Sequence, residues 1–357
     1  MPKTGMIAGV IVVIAVIAAA AVYVGTQTGG TVTTTTTQTT TTITTTTAAP
    51  GKEWKVALML PDVITDLTWN GPAYQAVTRL VAEGTADGFS YTEQVTVPDA
   101  VRIASGYAAE GYDLIIQHGA QFVDTTRDAA TQYPNSYFIT TAMSASDFPT
   151  NASVVWVYLE ETYYLLGILA GRMTTTNVVG TLCPLEVPGI VEWSKGFKAG
   201  VLSVNPGATV LYAVTGSFMD ATLGKEAAMA QIEAGADFIA PMTDGPALGA
   251  IIAAQETGNA YVFGNEGDTH SINPNVVVSS AIWDSYAHYK TILTDIKAGN
   301  FKSVYEADLK SGGATLTPFY ALSGQIPQSV LDEMEQAKQD IISGTINVRE
   351  LVQNIVL

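Results

Sequence analysis

The sequence predicts an α/β protein made of two similar lobes with a cleft between them, and three observations carry that prediction. Short apolar runs alternate with helical patterns from Lys55 to Glu266, as parallel βαβ units require. The rhythm runs once from Trp54 and again from Val178, so two lobes are the economical architecture for a chain of 357 residues. The later runs are each followed by polar or aromatic residues: Phe218 and Asp220 after Val210 to Val214, Asp244 after Phe238 to Ala240, and Glu266 and Asp268 after Tyr261 to Phe263. In parallel sheets ligands sit beyond the carboxyl ends of the strands, so these positions predict a ligand cleft.

The elements follow in order. Lys55 to Leu60 reads as the first strand, with a loop from Pro61 to Gly71 and a helix from Pro72 to Glu83. Phe89 to Val95 is the second strand, and the helix from Asp99 to Glu110 ends at Gly111. Leu114 to Gln117 is the third strand, followed by the loop His118 to Phe122 and a helix from Val123 to Tyr133. Tyr137 to Thr140 and Ser153 to Val157 supply two more strands, and Glu160 to Met173 an apolar helix. Val178 to Leu182 restarts the pattern, which continues through the helix Ile190 to Val204 to the strand ending near Glu266.

Ahead of this body, Met6 to Val24 is an uninterrupted, charge-free apolar run, close to the ~20 residues that cross a bilayer as a helix. No cysteine follows it for a bacterial-type lipid anchor. It reads as a retained anchor or a processed signal, and either places the bulk of the chain at the extracytoplasmic face of the cell membrane. Lys3-Thr4-Gly5 before it resembles the cleavage site of pilin-like signals used by archaeal binding proteins, in which the apolar run is retained. Thr31 to Thr47 is nearly pure threonine and reads as a disordered stalk with no apolar period to bury. The expected division is an anchor or signal over 1–27, a stalk over 28–52, a first lobe from 53–156 plus 283–315, and a second from 157–282 plus 316–357.

Composition excludes several function classes. A net charge of −17 without basic clusters argues against nucleic acid, whose phosphates need them. Cys183 is the single cysteine, which leaves no internal disulfide and no cysteine-based metal site. His118, His270 and His288 have no metal-ligand spacing. No Ser-His-Asp order, Walker loop or HExxH occurs, so neither catalytic residues, a cofactor nor a metal is expected.

The order Gly196-Phe197-Lys198-Ala199-Gly200, Asn205-Pro206, Gly216-Ser217-Phe218-Met219-Asp220, Gly224-Lys225-Glu226 and Gly235-Ala236-Asp237 resembles the basic-membrane-protein family. These are type I periplasmic-type substrate-binding proteins of ABC transporters, purine-nucleoside-receptor lipoproteins among them. The resemblance covers roughly Trp54 to Asp340. It implies two Rossmann-like lobes joined by a hinge of three crossings, a purine base or nucleoside between them, and a transporter permease as partner. Residue by residue, it points to Asp66, Trp69 and Asn70 in the first loop, where Trp69 stands in place of the family's phenylalanine. It further points to Phe122 and Asp124 in the third βα unit, and to Phe218 as a residue that stacks on the base. Glu266, with Asp268 following, stands where the family has a ribose-gripping aspartate. Trp283 stands where nucleoside-binding members carry a lysine that contacts ribose. With Asp244-Gly245-Pro246 and Tyr286, that tryptophan is similar to members that bind a free base.

The substitution has physical content. A purine has flat apolar faces and a polar rim, so aromatic residues stack on it and carboxylates accept from its N–H groups. Trading lysine for tryptophan removes a charged donor for ribose hydroxyls and adds a stacking surface. Asp66, Asn70 and Asp124 also stand where helix caps belong, Asp244 where a turn residue belongs, and Phe218 where core packing would serve. A ligand sensor for a membrane signalling partner and a nucleoside hydrolase are the rival functions. The acids are dispersed over separate loops, which disfavours the hydrolase.

Overall fold

The computed structural model describes residues 52–142 and 147–357. The apolar run and the threonine-rich segment lie outside them. Among the described residues no helix is long and apolar enough to cross a membrane.

Two six-stranded sheets form the body. In the first, β1 (Lys55–Met59), β2 (Gly88–Thr92), β3 (Leu114–Gln117), β4 (Tyr137–Thr141), β5 (Ala152–Val157) and β11 (Val304–Ala307) run in the order β11-β5-β4-β3-β1-β2, all parallel. In the second, β6 (Val178–Cys183), β7 (Thr209–Val214), β8 (Phe238–Pro241), β9 (Tyr261–Glu266), β10 (Val277–Trp283) and β12 (Ala314–Leu316) run in the order β12-β10-β9-β8-β6-β7, with β12 antiparallel. Strand order reverses between β1 and β3 and between β6 and β8. Helices therefore leave on opposite faces there, which opens a crevice at the carboxyl ends.

Three crossings join the lobes: Tyr158 and Leu159 after β5, Asp284 after β10, and 308–313 between β11 and β12. The sequence boundary after residue 315 falls inside β12, which pairs Ala281 with Leu316 and Trp283 with Ala314. Trp283, Ala314 and Thr315 thus stand in the second sheet, because a short antiparallel return completes that sheet's edge. The sequence pattern assigned no element beyond Glu266. The structure adds β10, β11, β12, α8 (Ser285–Ala298), α9 (Gln328–Ser343) and α10 (Val348–Leu351) there.

The core has three parts. α2 (Val97–Ala109) and α3 (Val123–Gln132) cover one face of the first sheet, burying Ala100, Ala104, Ala129 and Ala130 with Met59, Ile115 and Phe138. α6 (Ala221–Glu233) and α7 (Asp244–Thr257) do the same for the second, through Ala228, Ile251 and Ala254. A larger central core runs continuously from one lobe into the other, holding Leu58, Val77 and Leu80 beside Tyr163, Phe197, Phe263 and Tyr289. It takes in α1 (Asn70–Ala82), α4 (Glu160–Met173), α5 (Ile190–Val204), α8 and α9. The α4 and α5 helices run parallel at close range. A Cβ on Gly196 would collide with the Glu160 carbonyl, one on Gly200 with Tyr164 and one on Gly167 with Phe197. Only hydrogen at those positions lets the two backbones approach. That contact sets both helix N-termini at the end where the crossings lie.

Candidate functional site

The carboxyl ends of β1, β3, β8, β9 and β10 bring their loops to one place. After β1, the Asp66 carboxylate accepts from the backbone N–H groups of Thr68 (3.1 Å), Trp69 (2.9 Å), Asn70 (2.9 Å) and Gly71 (3.1 Å), and from the Asn70 side-chain amide. Asp66 thereby satisfies the open donors that begin α1. Its first task is to shape the loop. Asn70, 3% exposed, spends its amide on Asp66, and its Oδ1 is left without a partner.

The lobes meet across this loop. Thr68 Oγ1 donates to Asp244 at the start of α7. A Cβ on Gly267, one residue after β9, would collide with the Leu67 carbonyl. Glu266 ends β9 with φ at +57°, a left-handed conformation that a non-glycine residue adopts at some cost. Tyr163 and Asn265 back it. The Tyr163 hydroxyl lies 2.7 Å from Asn265 Oδ1 and 2.9 Å from the Pro241 carbonyl, and Asn265 Nδ2 donates to Glu266 at 3.1 Å.

Burial and mutual charge both act on these carboxyls. Burial pushes Asp244 up to about 6, with the charge of Asp66 adding to it and the Thr68 hydrogen bond opposing. Glu266 is raised well above the ordinary carboxylate value by desolvation, then by Asp244 and Asp66. Part of Glu266 is accessible, but its carboxyl end is withdrawn from water. Asp66, Asp244 and Glu266 thus feel one another, although they are 178 and 22 residues apart in the chain. Among the described residues no group of acidic, histidine or cysteine side chains could hold a metal ion.

An aromatic wall stands beside these acids. Trp69 lies 4.2 Å from His118 between ring centres, and His118 stacks on Trp283 at 5.2 Å with planes 7° apart. Trp69 and Trp283 are themselves 5.2 Å apart. Tyr289 of α8 meets Trp283 edge-on at 6.2 Å. Trp283 is 4% exposed, and its Nε1 has no partner. The buried Thr141 Oγ1, at the carboxyl end of β4, has none either. The two indoles, an unspent indole N–H, an unspent amide oxygen and the carboxyls of Asp244 and Glu266 have the chemistry to hold a flat molecule with a polar rim.

Of the residues singled out in the sequence, Asp66, Trp69, Asn70, Asp244, Glu266 and Trp283 come together. Of the other four, Phe122, Asp124 and Asp268 have different partners, and Phe218 adjoins the start of α7 through its backbone. Phe122 is fully buried in the core with Met59, Ile115 and Phe138, because its short 3-10 turn folds the ring under the sheet. Asp124 is on the outer side of α3, paired with Arg127 at 2.6 Å with its side chain 85% exposed. Phe218 is 39% exposed, and its contact with α7 is through its carbonyl, which accepts from Gly245 N and Thr243 Oγ1. Asp268 is exposed and accepts from the Tyr320 hydroxyl at 2.8 Å. Sequence reasoning missed His118, Thr68, Tyr163, Asn265 and Tyr289. His118 and Thr68 had a signal, since each follows a strand's carboxyl end. Tyr163, inside an apolar helix, had none.

Comparison with known proteins shows the family. The nucleoside-binding protein BmpA of an ABC transporter in Lactococcus lactis is 26% identical over 306 residues, covering 80% of this chain and 86% of that protein. A purine-binding protein of Brucella abortus is 27% identical over 286 residues, covering 79% of each. A solute-binding protein of an ABC transporter system from Aeropyrum pernix superposes with a TM-score of 0.72 at 19% identity, over 82% of this chain and 92% of that one. Residues 54–351 match the family described as PnrA-like ABC transporter substrate-binding proteins, and the chain belongs to that family.

Proposed function

We propose that this protein captures a purine, as the free base or the nucleoside, in the cleft between its lobes outside the cell, and presents it to an ABC transporter permease. The observation that carries the reading is the Trp69–His118–Trp283 wall standing beside Asp66, Asp244 and Glu266. Indole faces stack on a flat heterocycle, and carboxyls and amide oxygens accept from its rim. A nucleoside-binding and a purine-binding relative support the same ligand class. Trp283, in place of a lysine, favours the base over the nucleoside, since an indole offers ribose one donor and no charge. Thr68 on one lobe and Asp244 on the other bond only when the lobes are together, so the ligand acts by its preference for that state. The Met6 to Val24 run, in this reading, holds the protein at the membrane.

Calorimetric titration with adenine, guanine, adenosine, guanosine, inosine and ribose, with product analysis of the same mixtures, tests the proposal. Tight binding of a base without turnover is the expected result. Silence across the panel would overturn the purine assignment, and released ribose would make the protein an enzyme.

A further inference from the structure

His118 was no candidate in the sequence, yet it contacts both tryptophans of the wall. It is wholly buried at the carboxyl end of β3. Its Nε2 lies 3.1 Å from the Trp69 carbonyl oxygen, and its Nδ1 lies 2.8 Å from the Tyr289 hydroxyl. A carbonyl only accepts, so Nε2 carries the proton, and the neutral ring then accepts from Tyr289 at Nδ1. Burial holds the imidazole down to about 3; the Trp69 carbonyl and the charge of Asp66 oppose that without overcoming it.

We propose that His118 is the positioning residue of the cleft, a neutral Nε2–H imidazole that locks Trp69 of the first lobe and Trp283 of the second into one wall for the ligand. The Trp69 backbone is held from both sides, its N–H by Asp66 at 2.9 Å and its carbonyl by His118. Its indole therefore leaves the chain in a set direction. The Trp283 side chain makes no hydrogen bond and is held by ring contacts, with its plane 7° from the imidazole. Tyr289 completes the lock from the helix that follows the second crossing, meeting both rings edge-on at 6.5 and 6.2 Å. The same histidine thus joins the first lobe's binding loop, the end of the second lobe's strand and the helix behind the hinge. A phenylalanine would supply the ring without the two hydrogen bonds, and a glutamine a donor and an acceptor without the ring. Histidine supplies both.

The inference rests on the purine reading for its ligand but not for its geometry, and the experiment separates the two. His118→Phe, His118→Gln and Tyr289→Phe are compared with the parent by adenine and adenosine titration, by near-ultraviolet circular dichroism of the coupled indoles, and by the ¹⁵N signals of His118 against pH. The parent should show one protonated nitrogen, Nε2, unchanged down to pH ~5. His118→Phe should lose the indole coupling signal and bind the purine ~10-fold or more weakly, as two lost hydrogen bonds to a rigid wall imply. His118→Gln should recover part of the affinity. Tyr289→Phe, a milder change that guards against a misfolded His118 variant, should shift the Nδ1 signal and weaken binding by ~3-fold or more. Parent-like affinity and dichroism in folded His118→Phe would overturn the positioning role, and so would an imidazole that titrates in the ordinary histidine range. If the parent binds no purine, the ligand assignment falls, while the dichroism and ¹⁵N results still decide the role of His118.

Discussion

Glu160 opens α4 at the first crossing, 2% exposed, with Oε2 unpartnered. Burial pushes its carboxyl up to about 8 from an ordinary 4.5; nearby Glu161 and Glu192 add to the rise, and its own backbone N–H and Arg349 oppose it. In the unfolded chain this group is ionised at neutral pH, so folding takes up a proton. For an acid raised in the folded state, the penalty is absent below the ordinary value, grows as pH rises, and levels off above the folded value. Between those limits stability falls by ~1.4 kcal/mol per pH unit. Near pH 7 the penalty is on the order of 3 kcal/mol. Glu160→Gln keeps the shape and removes the proton uptake. Urea unfolding of parent and variant across pH 4.5 to 8.5 measures it. The variant should match the parent near the acid end and exceed it by ~3 kcal/mol at neutral pH. A difference that stays constant with pH would refute the reasoning, since the effect would then be one of packing.

Trp69→Ala should lower purine affinity ~100-fold, as loss of a stacked indole implies, whereas Phe218→Ala should leave it within ~2-fold, because that ring is on the surface; calorimetry on both decides. Asp244→Asn should raise the melting temperature above about pH 6, where the parent's carboxyl must be ionised against its burial and against Asp66, yet should weaken ligand binding. A scan at several pH values that shows no gain would sink the shared-space account. Arg349 of α10 pairs with Glu161 at 3.3 Å, Glu306 at 3.3 Å and Asp308 at 2.7 Å, and its guanidinium lies 3.4 Å from the Tyr158 ring centre. Arg349→Met leaves Glu161 and Asp308 nearly buried and uncompensated, and should cost ~3 kcal/mol in urea unfolding.

Much of this molecule was legible in its residues. The strand Leu114–Gln117 and the helices Glu160–Met173 and Ile190–Val204 stand where the apolar pattern put them, because burial on a sheet face or a helix stripe leaves a period of two or 3.6. Two lobes followed from the repetition of that pattern. The C-terminal part was not legible. β11 and β12 are short, half-buried strands whose place comes from partners about 150 and 35 residues away.

Within the site, the sequence determined residue types, and the tertiary structure decided their tasks. Asp244 and Glu266 could be named because a strand's carboxyl end is a local feature, whereas Trp69 and Trp283 were named by the family resemblance. Phe122 and Asp124 have the same local signature, but one points under the sheet and the other to solvent. Asp66 spends its charge on the N–H groups of α1, which was legible as a cap, but its repulsion of Asp244 and Glu266 needed the lobes brought together. His118 has a local position after β3 that marks it as a loop residue, but not its task. Hydrogen bonds to Trp69 and Tyr289 and a stack on Trp283 come from partners 49, 171 and 165 residues away. Local sequence sets which backbone conformations and periodicities are favourable, whereas burial, proton affinity and ring contacts depend on neighbours that only the folded chain supplies.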